Sequence, residues 1–114
     1  MNTENNLLFA EFMGFEPFHH NHFRCTIEMY KDDRILPTQY MEFDSNWNWI
    51  LKVVEKIEST KATVTIGRMY CEIQYKNPFD ENQKKEIRVA SGSRINAVYA
   101  ACVEFINWYN QQKK

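Results

Sequence analysis

The stretch Ser45 to Ser59, Ser-Asn-Trp-Asn-Trp-Ile-Leu-Lys-Val-Val-Glu-Lys-Ile-Glu-Ser, constrains this chain more than any other. Trp47, Ile50, Leu51, Val54 and Ile57 recur at helical spacing, while Lys52, Glu55, Lys56 and Glu58 occupy the wet side. An apolar stripe that heavy is stable only when covered, so the rest of the chain must supply a packing layer. Asp44 or Ser45 is expected to cap the helix by accepting a backbone N–H of its first turn. Trp49 falls about 200° around the helix from Trp47 and cannot share its face. It is expected outside the stripe, as an interface residue or packed under a neighbouring loop.

The flanking segments suggest that layer. Asn2 to Gly14 reads as a first helix with Leu8, Phe12 and Phe15 near one face and Gly14 as its C-terminal cap. Phe15 to His22 is expected to be irregular, because Pro17 excludes a continued helix. Phe23 to Tyr30 alternates, with Phe23, Cys25, Ile27 and Met29 on one side, and predicts a half-buried strand ending at the turn Lys31-Asp32-Asp33. Pro37 demotes Ile35 to Met41 to an edge strand or a loop. Ala62 to Ile66 and Met69 to Tyr75 read as a hairpin joined through Gly67, while Asn77 to Lys85 is polar and expected to be a mobile loop. Glu86 to Ala90 adds a short strand. Ser93 caps a final helix with Ile95, Val98, Tyr99, Cys102, Ile106 and Tyr109 on one face, alanines for close packing, and Phe105 and Trp108 widening the stripe. The implied fold is one α+β domain over residues 1–114. A mostly antiparallel sheet is packed between helices, an α/β/α layered sandwich of about three helices and four to five strands.

The 114 residues need no staples to build a core, and 44% of them are apolar. Eight Phe, six Tyr and three Trp exceed what a small interior absorbs, so some rings are expected at the surface. The 14 basic and 15 acidic residues nearly cancel, and the densest basic cluster is Lys84, Lys85 and Arg88. Charge alone therefore argues against direct nucleic-acid binding, which needs a concentrated positive footprint. Three cysteines lie far apart without a CxxC pair, the polar opening Met1 to Asn6 does not resemble a secretory signal, and no run approaches the length of a membrane span. These features predict reduced thiols and a cytoplasmic protein, a monomer or small homo-oligomer.

Reactive chemistry is sparse. His19, His20 and His22, with Cys25 three residues on, are the one cluster with metal-ligand character. They crowd one loop, whereas zinc takes spaced ligand pairs in a tetrahedron, so neither metal nor cofactor is expected. Ser93 and Arg94, at a helix N-terminus, form a candidate anion site whose serine is equally explained by capping. Cys71 and Cys102 fall on core faces with no histidine near them in sequence, and the carboxylate pairs Asp32-Asp33 and Asp80-Glu81 sit in turns. An enzyme is not expected. The candidate interface comprises Phe18, His19, His20 and His22 in the first loop, Trp49, and Phe79, Lys84 and Lys85 in the later polar stretch.

Three segments carry a family likeness: Ala10-Glu11-Phe12-Met13-Gly14-Phe15, the Trp-rich helix ending Val53-Val54-Glu55-Lys56-Ile57, and the close from Arg94-Ile95-Asn96-Ala97-Val98-Tyr99 to Phe105-Ile106-Asn107-Trp108-Tyr109-Asn110. Together they resemble small phage and prophage proteins with the phage ABA sandwich domain, from about residue 7 to residue 110. Pro17 to Asp44 and the stretch after Tyr75 match no family pattern. The resemblance implies a sheet held between helix layers and no catalytic residues. The expected function is that of a non-enzymatic accessory protein of a phage or mobile element, acting in the bacterial host cell by binding a host or phage protein. An inhibitor of host defence, anti-CRISPR-like, is one form of it. The alternative is a nucleic-acid-linked protein holding single strands on aromatic side chains; a third is a small metal-dependent enzyme using the histidine loop.

Overall fold

A computed structural model of the chain describes residues 3–19, 22–25, 34–37, 40–77 and 79–112. Helix α1 spans Thr3–Phe12, strands β1 to β3 span Glu16–His19, His22–Cys25 and Arg34–Pro37, and α2 spans Trp47–Glu58. Strands β4 to β6 span Thr63–Ile66, Tyr70–Asn77 and Asp80–Ala90, and α3 closes the order at Arg94–Gln112. The strands form two antiparallel three-stranded sheets, ordered β1-β2-β3 and β4-β5-β6. The fold is α+β, with three helices among the described residues.

Gly14 ends α1 because a left-handed residue is needed there, at φ 75°. Its N–H donates to the Glu11 carbonyl at 3.1 Å while the Phe15 N–H reaches the Ala10 carbonyl at 3.0 Å, the paired bonds of a Schellman cap. That cap turns the chain and drops Phe15 into the core. The buried face of α1 is carried by Asn6, Phe9 and Ala10, with Leu8 and Phe12 only partly covered. Asn6 is tolerated inside because its Nδ2 donates to the Met41 carbonyl at 3.2 Å.

Helix α2 is rotated relative to its expected phase. Trp49, Ile50, Val53, Val54 and Ile57 are buried, whereas Trp47 and Leu51 are 36% and 42% exposed. Both sets satisfy helical spacing, and the choice falls to Trp49 because Phe43 waits on that side, edge-on at 5.0 Å. Trp49 is thus core and leaves the interface. The cap also shifts by one residue: Asn46 Oδ1 accepts the Asn48 N–H at 2.9 Å, the role assigned to Asp44 or Ser45. At the far end Lys61 takes the left-handed conformation, φ 82°, that glycine usually fills.

In the β4–β5–β6 sheet, register aligns Val64 with Ile73 and Ile87, and Ile66 with Cys71 and Val89. These face the helices, with α3 lying on β5 and β6, and α2 touching β4. The opposite face carries Thr65, Glu72 and Arg88, and Thr63, Gln74 and Glu86, and lies open to solvent. The helix layer therefore covers this sheet on one side. Gly67 allows the β4–β5 turn to fold tightly: a Cβ there would sit 1.9 Å from the Tyr70 ring.

Two segments expected to be irregular are strands. Glu16 to His19 pairs with β2, and Pro17 is tolerated because β1 is an edge. Pro37 likewise sits on the opposite edge, at the end of β3. Of the stretch expected to be a loop, Asn77 ends β5 and Asp80 to Lys85 belong to β6, with Lys76 opposite Lys84 and Tyr75 opposite Lys85. Asp80, Asn82, Gln83, Lys84 and Lys85 are all exposed, so no apolar alternation announces this part of β6. Ile27 and Met29 of the expected first strand lie outside the described residues.

Trp49→Ala should cost about 3–5 kcal/mol in urea unfolding and Trp47→Ala no more than about 1 kcal/mol, since only the first leaves a core void. Lys61→Gly should raise stability by about 0.5–1 kcal/mol in the same measurement by relieving a left-handed side-chain clash.

Candidate functional site

The sequence candidates fall in three places. His19 and His22 are register partners where β1 pairs with β2, Phe18 precedes them in β1, and His20 lies outside the described residues. Among the described residues, no group of three or more His, Cys, Asp or Glu side chains is placed to share a metal ion.

Ser93 and Arg94 do meet at the start of α3. Ser93 Oγ accepts the Asn96 N–H at 3.1 Å, an ordinary N-cap. Arg94 turns away from the helix axis, its Nε donating to the Arg68 carbonyl at 3.3 Å and tying α3 to the β4–β5 turn. The pair is accounted for by capping and tethering.

Phe79, Lys84 and Lys85 belong to the β5–β6 hairpin, which is where the surface chemistry gathers. Phe79 is 96% exposed at the tip. The turn beneath it is held by Asn77, whose Oδ1 accepts the Phe79 N–H at 2.9 Å and whose Nδ2 donates to Gln83 Oε1 at 2.8 Å. Asp80 Oδ1 accepts the Asn82 N–H at 3.0 Å and stiffens the returning strand. At the hairpin root a groove of about 620 Å³ is lined by Lys61, Lys76, Lys84 and Lys85, with Gln74 and Glu86. Lys61 and Lys76 were not among the sequence candidates. No local pattern marks them, because they come from the α2–β4 turn and from β5 and meet only in space.

The hairpin is anchored by aromatic packing on its inner face. Tyr75 meets Trp108 at 5.2 Å, Phe105 at 6.1 Å and Tyr109 at 6.3 Å between ring centroids. Outside, Arg88 lies over the Tyr70 ring at 4.6 Å and pairs with Glu72 at 3.7 Å.

The thiols of Cys71 and Cys102 are free and buried. Burial pushes Cys71 from its ordinary 9.0 up to about 11; Cys102 is held well above 9.0 by burial, with the neighbouring Cys71 adding to the effect. Both are neutral thiols at physiological pH, the opposite of what a nucleophile requires. Burial also raises the Tyr99 phenol, with the Asn5 side chain opposing the shift.

Compared with known proteins, the chain matches no family model, no curated protein sequence and no solved structure. No described helix is long and apolar enough to cross a membrane.

In a Cys25→Ser background, Cys71 and Cys102 should stay unreactive to a disulfide-exchange reagent until the protein unfolds. The folded state keeps these protons where the unfolded chain sheds them. Their contribution to stability is therefore complete below about pH 9 and falls as pH rises toward 11, which denaturant titrations across that window will measure.

Proposed function

We propose that this chain is a small non-enzymatic binding protein that engages a larger protein through the β5–β6 hairpin. The observation that carries the reading is Phe79, an aromatic ring 96% exposed on a turn fixed by its own side-chain hydrogen bonds. A large apolar side chain held out on a stiff arm is pre-organised to enter a pocket on a partner, with little ordering entropy left to lose. The buried, neutral thiols of Cys71 and Cys102 support a binding role over thiol catalysis.

The likeness of residues 10–15, 53–57 and 94–110 to phage ABA sandwich proteins supports a phage or mobile-element source and action in the cytoplasm of a bacterial host. In that setting, inhibition of a host defence system, in the manner of an anti-CRISPR protein, is the form of function we put forward. Single-strand binding through sheet aromatics is less favoured: Tyr70 carries Arg88 over its ring, and Tyr75 faces the helices.

Affinity capture from host lysate with mass spectrometry tests the reading. A partner retained by the native protein and lost at least tenfold with Phe79→Ala, at unchanged melting temperature, is the expected result. Capture indifferent to Phe79→Ala removes the hairpin from the interface.

A further inference from the structure

We propose that the groove at the root of the β5–β6 hairpin receives an extended, carboxylate-rich segment of the partner protein; this deepens the protein-binding reading and rests on it. Four lysines, Lys61, Lys76, Lys84 and Lys85, and a single acidic residue, Glu86, line this groove of about 620 Å³. The chain as a whole carries a net charge of −1, so this is a local excess created by folding.

Two features of the groove work against stability. Register places Lys76 directly opposite Lys84 on the solvent face, where like charges repel. Farther along the same pair of strands Glu72 opposes Arg88 and the two form an ion pair, so this sheet does match charges elsewhere. Lys61, which also lines the groove, holds φ 82° without being glycine. Unfavourable local choices that converge on one concavity mark a place kept for binding. An anion seated between the lysines relieves the repulsion, and the relief adds to its affinity.

The sheet edge selects the class of anion. β4 joins β5 only as far as the pair Thr63 and Gln74. Beyond it Tyr75 and Lys76 have β6 on one side and, among the described residues, no strand on the other. An extended peptide can hydrogen-bond along such an edge while its carboxylates meet the lysines. A nucleic acid offers no matching backbone, Glu86 repels a continuous line of phosphates, and the Tyr75 ring is already packed on Trp108.

The probe is a fluorescein-labelled peptide of alternating Glu and Val, read by anisotropy, with a Gln-for-Glu peptide and a labelled oligothymidylate of equal length as comparators. The Glu peptide should bind, the Gln peptide at least tenfold more weakly, and added salt should weaken the first. Lys84→Glu replaces a like-charge pair with an opposite-charge one. It should raise the melting temperature by about 2–5 °C and still weaken the Glu peptide at least tenfold, a combination that loss of folding cannot produce. Lys52→Glu makes the same charge change on α2, away from the groove, and should leave the affinity within twofold. No binding of the Glu peptide, equal binding of the Gln peptide, tighter binding of the oligonucleotide, or binding that survives Lys84→Glu each overturns the groove assignment. Because the titration uses no natural partner, its failure leaves the Phe79 capture result standing, and the two readings fail separately.

Discussion

The edge-on contact between Trp49 and Phe43, at 5.0 Å, is the constraint from which the rest of the arrangement follows. Phe43 also packs against Phe9 with the rings tilted, at 4.9 Å, and Phe9 reaches Tyr99 at 5.4 Å, so one run of rings connects α2 to α1 and α1 to α3. Phe43 and its neighbour Met41 come from the segment leading into α2, and both are buried. Large rings contribute most of the area removed from water in a domain this small, and their edge-to-face geometry limits how the helices rotate. With Trp49 inward, Trp47 and Leu51 must face outward.

That sheet divides its labour by face. The inner rows, Val64 with Ile73 and Ile87 and Ile66 with Cys71 and Val89, bury against α3 and hold the register. The outer rows are polar and wet. Where β4 stops, the β5–β6 pair runs on as an arm, steadied at its root by Tyr75 against Trp108 and at its tip by Asn77. A two-stranded ribbon alone is marginal in water, so this arm depends on its root packing and its turn chemistry. Rigid packing thus ends close to where surface chemistry begins. The interior holds its polar and titratable groups quiet, with Asn6 bonded and the two thiols neutral, while lysines and an aromatic ring are displayed at the periphery.

Several elements were legible in the chain before folding was considered. Gly14 as the cap of α1, Ser93 as an N-cap, and the β4–β5 hairpin joined through Gly67 each follow from a local rule, and local rules survive because they need only near neighbours. The phase of α2 was not legible. Ile50, Val54 and Ile57 belong to both candidate stripes, and whether Trp47 and Leu51 or Trp49 and Val53 join them depends on where Phe43 lies. The hairpin arm was missed because Asp80, Asn82, Gln83, Lys84 and Lys85 are all exposed and leave no apolar period to read.

The chain by itself determined the class of fold, the end of α1 at Gly14, the start of α3 at Ser93 and the inward face of its longest helix, because these follow from short-range spacing, capping and backbone freedom. Tertiary structure alone decided which tryptophan is core, that Asp80 to Lys85 belong to β6, and that Lys61, Lys76 and Lys84 line one groove. Those outcomes turn on contacts between residues distant in sequence, where the side that is buried and the charge that is gathered depend on how whole elements pack.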